Sequence, residues 1–181
     1  LGLRFGASFS LSRILYLMRN EPAIYEKTRV FAHQADYVAG MLCGEYAVSD
    51  YSNALKTGYD LIDNRWPAEY ETELGIARAK LPRIVAPGTA IAHITPEACA
   101  ELGLPETAIV TGGSTDGYAS ALAAGAVGDG RWASIIGTTF VLKGATRKLV
   151  IDPSGACYSH KLPSGEWLLG GAANLGGRVL N

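Results

Sequence analysis

The chain has 181 residues, a formal net charge of -1 and a hydrophobic content of 48%. This length and composition are typical of a folded globular protein with one sizeable core, and they exclude a disordered or strongly charged chain. The nearly balanced charge argues against nucleic acid as the main partner, because phosphate backbones are bound by clustered Lys and Arg side chains.

The cysteines and the lengths of the apolar runs indicate the cellular compartment in which the protein is expected. Cys43, Cys99 and Cys157 are widely spaced among apolar neighbours, as expected for buried free thiols in a reducing compartment. No apolar run approaches the roughly 20 residues that a helix needs to span a bilayer. The first ten residues have no basic segment followed by an apolar block, so no signal peptide is predicted. We therefore expect a cytoplasmic protein without a membrane partner.

The first 75 residues are predicted to be mainly helical. Apolar side chains at Leu11, Ile14 and Met18 have helical spacing after Ser10, which is a suitable N-cap. Further helices are predicted over 25–43, 49–57 and 67–74, with terminal signals at Gly44, Ser49 or Asp50, Pro67 and Gly75.

The second part of the chain is predicted to mix strands with helices. Thr95, Pro96 and Gly103 are the N-cap, first residue and stop signal of a compact helix. A buried strand over 107–112 and a helix over 115–125 come next. The remaining predictions are two strands joined through Gly137 and a hairpin across the turn at 163–165. Helices followed by a sheet-building half indicate the α/β class.

The sequence GGSTDG at 112–117 places a single carboxylate, Asp116, between a strand and an almost uncharged helix. In open α/β sheets ligands bind at the carboxyl ends of the strands. The N-terminus of a helix also favours an ionised carboxylate through its unpaired N–H groups and partial positive charge. Asp is equally a preferred N-cap residue. Spacing alone fits both a structural cap and a catalytic acid, and it favours the cap.

A second turn, IIGTTF at 135–140, combines a glycine with two hydroxyl side chains. Backbone N–H groups at such a turn, assisted by Thr hydroxyls, can bind an anion such as phosphate. An ordinary hairpin with β-branched residues explains the same residues. Taken singly, the hairpin interpretation is the favoured one.

Other familiar constellations are not found in the sequence. His33, His93 and His160 are isolated, and neither His-x-x-x-His nor Cys-x-x-Cys occurs, so a zinc site is not predicted. The glycine-rich dinucleotide and P-loop motifs do not occur either. GGSTDG is not the G-x-S-x-G elbow of α/β hydrolases, and no nucleophile–base pair supports a triad.

Several separated stretches, taken together, resemble the FGGY family of carbohydrate kinases, in particular its pentulokinase branch of xylulokinase- and ribulokinase-like members. They are DYVAGMLCGEYAVSDYSNALKTGYDLIDNRW, LPRIVAPGTAIAHITPEACAELGLPETAIVTGGSTDGYASALAAGAV and SIIGTTFVLKG. The resemblance implies an actin-like, ribonuclease H-like fold of two domains around a cleft for ATP-Mg²⁺ and a sugar. It also implies transfer of the γ-phosphoryl group of ATP to a sugar hydroxyl, with a ketopentose such as xylulose or ribulose as the expected acceptor.

The resemblance implies roles for the residues of both turns. Asp116 corresponds to the general base that removes the proton of the attacking hydroxyl. Gly137, Thr138 and Thr139 correspond to a turn that cradles the phosphates of ATP. Ser114 and Thr115 would shape the sugar pocket together with Asp116, and Asp50 and Asn53 would support the structure. No residue of this chain is assigned as a metal ligand.

The same resemblance implies a domain division and an incomplete kinase. Residues 1–170 would be the C-terminal part of the sugar-binding first domain, and 171–181 the start of the nucleotide-binding second domain. The family's early Asp-x-Gly-Thr phosphate turn and its later adenosine-binding glycine segment do not occur in this sequence. We therefore expect the chain alone not to be a competent kinase. The expected partners are ATP and a sugar, and a homodimer is compatible with the resemblance.

Two alternative functions remain open from the sequence. One is a non-catalytic ligand-binding module that retains the actin-like architecture. The other is an unrelated α/β hydrolase or transferase, which would need a nucleophile–base pair that the sequence does not show.

Overall fold

The computed structural model describes residues 5–7, 9–174 and 176–177. Their contacts divide into two compact units, one over residues 5–114 and the other beginning at Thr115, so the division falls inside the GGSTDG stretch. Within the described ranges, none of the helices combines the length and apolar character that crossing a bilayer requires. The domain boundary predicted after residue 170 stays a prediction. β8, Trp167–Ala173, runs through that position, and the predicted second domain extends beyond the described residues.

The first unit contains six helices and four short strands in its described part. The helices are α1 Ser10–Asn20, α2 Pro22–Lys27, α3 Gln34–Cys43, α4 Tyr51–Ala54, α5 Glu69–Thr72 and α6 Pro96–Leu102, with 3-10 turns at Leu55–Thr57 and Arg78–Lys80. The strands are β1 Val48–Asp50, β2 Arg83–Val85, β3 Ala90–His93 and β4 Ile109–Thr111.

Helices with strong local signals form where the sequence predicts them. α6 begins after Thr95, whose hydroxyl accepts a hydrogen bond from Ala98 N–H at 3.3 Å, and Gly103 ends it with a φ of 66°. α3 ends at Gly44, also in the left-handed conformation. Ser10, by contrast, is the first residue of α1 rather than its N-cap, because Phe9 occupies the cap position.

The helix predicted over 25–43 is wrong in its middle, because an extended segment separates α2 from α3. Phe31 N–H donates a hydrogen bond to the Lys80 carbonyl at 2.8 Å. The Lys80 ammonium donates to the Thr28 carbonyl at 2.6 Å. These contacts, about fifty residues away in sequence, satisfy backbone groups that a continuous helix would otherwise have paired.

The described strands of the first unit form two separate two-stranded sheets. β1 and β2 are parallel, whereas β3 and β4 are antiparallel. The sequence predicts β4 as a buried strand, and this is wrong, since Ile109 is 53% exposed. β1 is a short strand inside a region predicted to be helical. Asp116 thus follows a strand of an antiparallel pair, and it does not lie at the carboxyl edge of a parallel sheet formed by β4.

The second unit combines one helix with an antiparallel sheet. Helix α7 is Asp116–Ala123, and the strands are β5 Trp132–Ile136, β6 Phe140–Thr146, β7 Tyr158–Lys161 and β8 Trp167–Ala173. The strand order is β5-β6-β8-β7, with every neighbouring pair antiparallel. The two hairpins predicted from the sequence are therefore confirmed.

Helix α7 covers one face of this sheet through small side chains. Tyr118 and Ala121 are 1% and 0% exposed, and they form a core with Ala133, Ala145 and Leu168. Alanine on both layers lets helix and sheet approach closely, which explains how a helix with few large apolar residues is held. This packing fixes the first turn of α7, which carries Asp116.

Candidate active site

Asp116 is the first residue of α7 and its side chain is exposed. Its Oδ1 atom accepts a hydrogen bond from Gly117 N–H at 2.7 Å. The partial positive charge at the start of a helix stabilises a carboxylate there. The arrangement leaves an accessible carboxyl group at the start of a packed helix.

The N-cap interpretation of Asp116 is wrong in position, because Thr115 occupies the cap with extended dihedral angles. The Thr115 carbonyl accepts hydrogen bonds from Tyr118 N–H at 3.0 Å and from Ala119 N–H at 2.9 Å, which begin the helix. Ser114 is the last residue of the first unit, and both it and Thr115 are half-buried.

Gly137, Thr138 and Thr139 form the exposed bend between β5 and β6, which we call the Gly-Thr-Thr bend. Gly137 N–H donates to the Thr139 carbonyl at 2.9 Å and closes the bend internally. The N–H groups and hydroxyls of Thr138 and Thr139 make no hydrogen bond to other residues in the described ranges. These donors are available for a ligand with anionic oxygens.

Two glycines after β8 donate hydrogen bonds to carbonyl groups of the Gly-Thr-Thr bend. Gly176 N–H donates to the Thr138 carbonyl at 3.0 Å, and Gly177 N–H donates to the Gly137 carbonyl at 2.8 Å. A Cβ atom at Gly176 would collide with the Thr139 carbonyl carbon. Only glycine allows the backbone at 176 to come this close to the bend. The two hydrogen bonds use carbonyl groups of the bend and leave the N–H groups of Thr138 and Thr139 available.

Two further side chains lie close to the start of α7. Lys143 on β6 is only 6% exposed, and a methyl group at Gly117 would lie 3.6 Å from its Cε atom. The Lys143 Nζ atom lies 5.8 Å from the centre of the Tyr158 ring. Burial raises the pKa of the Tyr158 hydroxyl, and the negative charge of Asp116 raises it further. The structure therefore brings Asp116, Lys143 and Tyr158 together, and the sequence had singled out the first of these alone.

Comparison with known proteins supplies the decisive observation. The profile of the FGGY family of carbohydrate kinases, N-terminal domain, matches residues 1–123, which include Asp116. The chain belongs to the FGGY family of carbohydrate kinases.

Individual relatives agree with this assignment. The gluconokinase of Bacillus subtilis (strain 168) is 31% identical over 172 residues, which are 94% of this chain and 33% of the relative. A xyloylose kinase from Brucella ovis superposes with a TM-score of 0.88 at 29% identity, over 99% of this chain and 37% of that structure. A ligand-bound xylulose kinase from Lactobacillus acidophilus gives a TM-score of 0.90 at 26% identity, with the same coverage of 99% and 37%. The chain thus spans about a third of the length of these FGGY proteins.

The family assignment confirms the predicted fold class. The described residues form a mixed α/β structure that superposes on solved FGGY kinases over almost the whole chain. The actin-like, ribonuclease H-like class expected from the resemblance is therefore correct.

The geometry of Asp50 and Asn53 agrees with a supporting role in this FGGY chain. Asp50 is 1% exposed and accepts hydrogen bonds from Ser52 N–H at 2.8 Å and Asn53 N–H at 3.0 Å. The Asn53 amide donates a third at 2.6 Å. Asp50 is thus the buried N-cap of α4, and its oxygens are already occupied within the fold.

Proposed function

We propose that the protein carrying this chain is an ATP-dependent carbohydrate kinase, in which Asp116 is the general base and the Gly-Thr-Thr bend binds phosphate. The observation that carries this proposal is an exposed carboxylate at the first residue of α7, in the same compact unit as an exposed bend with available donors. Membership in a family of carbohydrate kinases supports the reaction class.

Asp116 has the properties that a general base requires. Its carboxylate is exposed, so a sugar hydroxyl can approach it, and one oxygen is oriented by the hydrogen bond from Gly117 N–H. Removal of the hydroxyl proton increases the nucleophilicity of the oxygen as it attacks the γ-phosphorus. Ser114 and Thr115 directly precede this acid, and we assign them to the sugar pocket.

The Gly-Thr-Thr bend supplies the donors expected in phosphoryl transfer, a reaction in which the protein mainly positions groups and stabilises charge. Thr138 and Thr139 offer two backbone N–H groups and two hydroxyls to phosphate oxygens. The described residues contain no cluster of three metal-binding side chains. In this proposal Mg²⁺ binds as part of the ATP complex, through phosphate oxygens and water.

The acceptor belongs to the sugars and sugar acids. We favour a ketopentose such as xylulose or ribulose, and the similarity to xylulose kinases supports it. Gluconate is the second candidate, because the gluconokinase of Bacillus subtilis is 31% identical to this chain. A homodimer and a cytoplasmic location stay predictions.

A coupled ADP-release assay tests the proposal on the intact gene product that carries this sequence. The acceptors are D-xylulose, D-ribulose and D-gluconate, each with and without ATP-Mg²⁺. We expect one of them to stimulate ADP release and to yield a phosphorylated product by mass spectrometry. Binding of sugar without turnover for any acceptor would instead support the non-catalytic module with an actin-like fold.

A further inference from the structure

The sheet of the second unit has an apolar groove on the face that points away from α7. Side chains alternate between the two faces along a strand. Because Ala133, Ala145 and Leu168 pack with α7, their neighbours along the strands point to the other face. The cavity on that face has a volume of about 370 Å³, and we call it the outer groove. Its lining includes Trp132, Phe140, Leu142, Cys157, Leu169 and Gly171.

Two glycines shape the outer groove. Gly144 on β6 lies opposite Trp132 on β5, and a side chain at 144 would collide with the Trp132 ring. Gly171 on β8 lies opposite Leu142, and a methyl group there would lie 3.1 Å from the Cys157 Sγ atom. The indole ring therefore lies against β6 on one side of the groove, and Cys157 lies close to β8 on the other. The floor between them stays low enough to accept apolar side chains.

The outer face is unusually apolar for a surface in contact with water. Trp132 is 55% exposed and Ile136 is 67% exposed, and Leu142 is exposed as well. Single apolar side chains are common on protein surfaces, whereas a contiguous apolar patch marks a surface that is covered by another segment or molecule. β5 is also an edge strand of the described sheet, and its sequence WASII contains neither proline nor a charged residue. Those residues commonly protect an edge strand that faces water.

The length of the relatives indicates what covers this face. The chain covers 33% of the Bacillus subtilis gluconokinase and 37% of the Brucella ovis kinase, so most of an FGGY protein of that length lies outside it. The profile of the FGGY N-terminal domain ends at residue 123, which is the last residue of α7. The sheet β5–β8 therefore lies C-terminal to the region that this profile matches.

The backbone after β8 comes close to the same face. Gly177 N–H donates to the Gly137 carbonyl at 2.8 Å, and a methyl group at Gly177 would lie 3.9 Å from the Ile136 Cγ2 atom. Ile136 has the same strand parity as Trp132, so its side chain belongs to the outer face. At Gly177 the polypeptide is thus next to the exposed apolar side chains.

We propose that the outer groove is the docking surface for an amphipathic helix in the part of the same gene product that follows residue 181. The sheet then has α7 on one face and this helix on the other, an arrangement that buries both apolar faces. Apolar side chains at helical spacing enter the groove between Trp132 and Cys157. The inference goes beyond the proposed function and does not depend on Asp116 or on the reaction.

The test compares Ser134→Cys with Ser164→Cys in the intact gene product. Both serines are exposed in the second unit, Ser134 on the outer face opposite Leu142, and Ser164 in the turn between β7 and β8. Maleimide labelling followed by peptide mass spectrometry gives the rate at each site separately from the natural cysteines. We expect Ser134→Cys to react at least about tenfold more slowly, because labelling then requires local opening of the covering helix. In denaturing urea the two rates should become equal.

Photocrosslinking identifies the element that covers the groove. p-Benzoylphenylalanine in place of Trp132 should crosslink, within one polypeptide, to a residue that follows position 181. Phe140 is the second position for the same probe if circular dichroism shows that the first variant does not fold.

Two kinds of result would overturn the inference. Similar labelling rates for the two folded cysteine variants would show that the outer face is open to water. Protection of Ser134→Cys without a crosslink to residues after 181 would show that a different element covers the groove, as would a crosslink to a second copy at the mass of a dimer. Neither result depends on the ADP-release assay, so a failure here is distinguishable from a failure of the proposed function.

Discussion

Replacement of Asp116 by alanine should remove catalysis while leaving the fold intact. The side chain is exposed at the first position of α7 and makes one hydrogen bond, from Gly117 N–H at 2.7 Å. The core beneath it depends on Tyr118 and Ala121, which the substitution does not touch. The Asp116→Ala variant should therefore lose activity while it keeps its fold.

In Asp116→Ala the expected loss of folding stability is much smaller than the expected loss of catalytic rate, so the two can be told apart. An acid in the first turn of an exposed helix stabilises it by about 0.3–1 kcal/mol. That is small beside the roughly 5–15 kcal/mol of a typical domain. Loss of a general base costs about 10²–10⁴-fold in rate, which corresponds to about 3–5 kcal/mol of activation free energy. Turnover should therefore fall far more than any loss of folded protein could explain.

Asp129→Ala is the matched control for this experiment. Asp129 is also exposed in the second unit and also accepts one backbone hydrogen bond, from Arg147 N–H at 3.0 Å. With ATP-Mg²⁺ and the active sugar, kcat should fall at least about 10²-fold for Asp116→Ala and stay near wild type for Asp129→Ala. The reasoning is refuted if both variants lose activity equally, or if Asp116→Ala retains near-normal turnover.

Three further predictions concern the phosphate site and the second unit. Thr138→Val should raise the Kd for ATP by about three- to tenfold through loss of one hydroxyl hydrogen bond; calorimetry measures it, and an equal change in the exposed control Thr89→Val would contradict the assignment. Gly176→Ala should weaken ATP binding at least as much, since its Cβ collides with the bend; unchanged affinity would show that the bend does not bind phosphate. Hydrogen bonds, first from the Ser154 hydroxyl, lower the pKa of Asp152 to about 2. Ionised Asp152 therefore stabilises the fold at pH values above its ordinary pKa, and this contribution is lost as the pH falls through about 2. A titration midpoint near 4 for its carboxyl carbon, measured by NMR, would refute this prediction.

Elements with complete local signals were predictable from sequence. The α6 helix has its cap, proline and terminal glycine within nine residues, Thr95 to Gly103, and the structure forms it there. The β5–β6 hairpin likewise follows from two β-branched segments around Gly137. Asp50 was expected at the start of a short helix, and its carboxylate caps α4.

Where distant residues compete for backbone groups, the sequence prediction failed. Phe31 lies within the segment 25–43 that was predicted to be helical, yet its N–H donates to the Lys80 carbonyl. Ile109 has strong strand propensity but is half exposed, because β4 pairs with β3 as a two-stranded ribbon. Neither outcome is encoded within a window of neighbouring residues.

The amino-acid sequence by itself determined the α/β class, the family and the two turns in which Asp116 and the Gly-Thr-Thr bend lie, because turn and capping chemistry is local. Tertiary structure alone decided which side chains surround that acid. Lys143 looks like any strand lysine in the sequence, and only the packing of α7 on β6 buries its ammonium beside Gly117 and Tyr158. The burial of this side chain depends on elements that are distant from one another in the sequence, so a window of neighbouring residues cannot predict it.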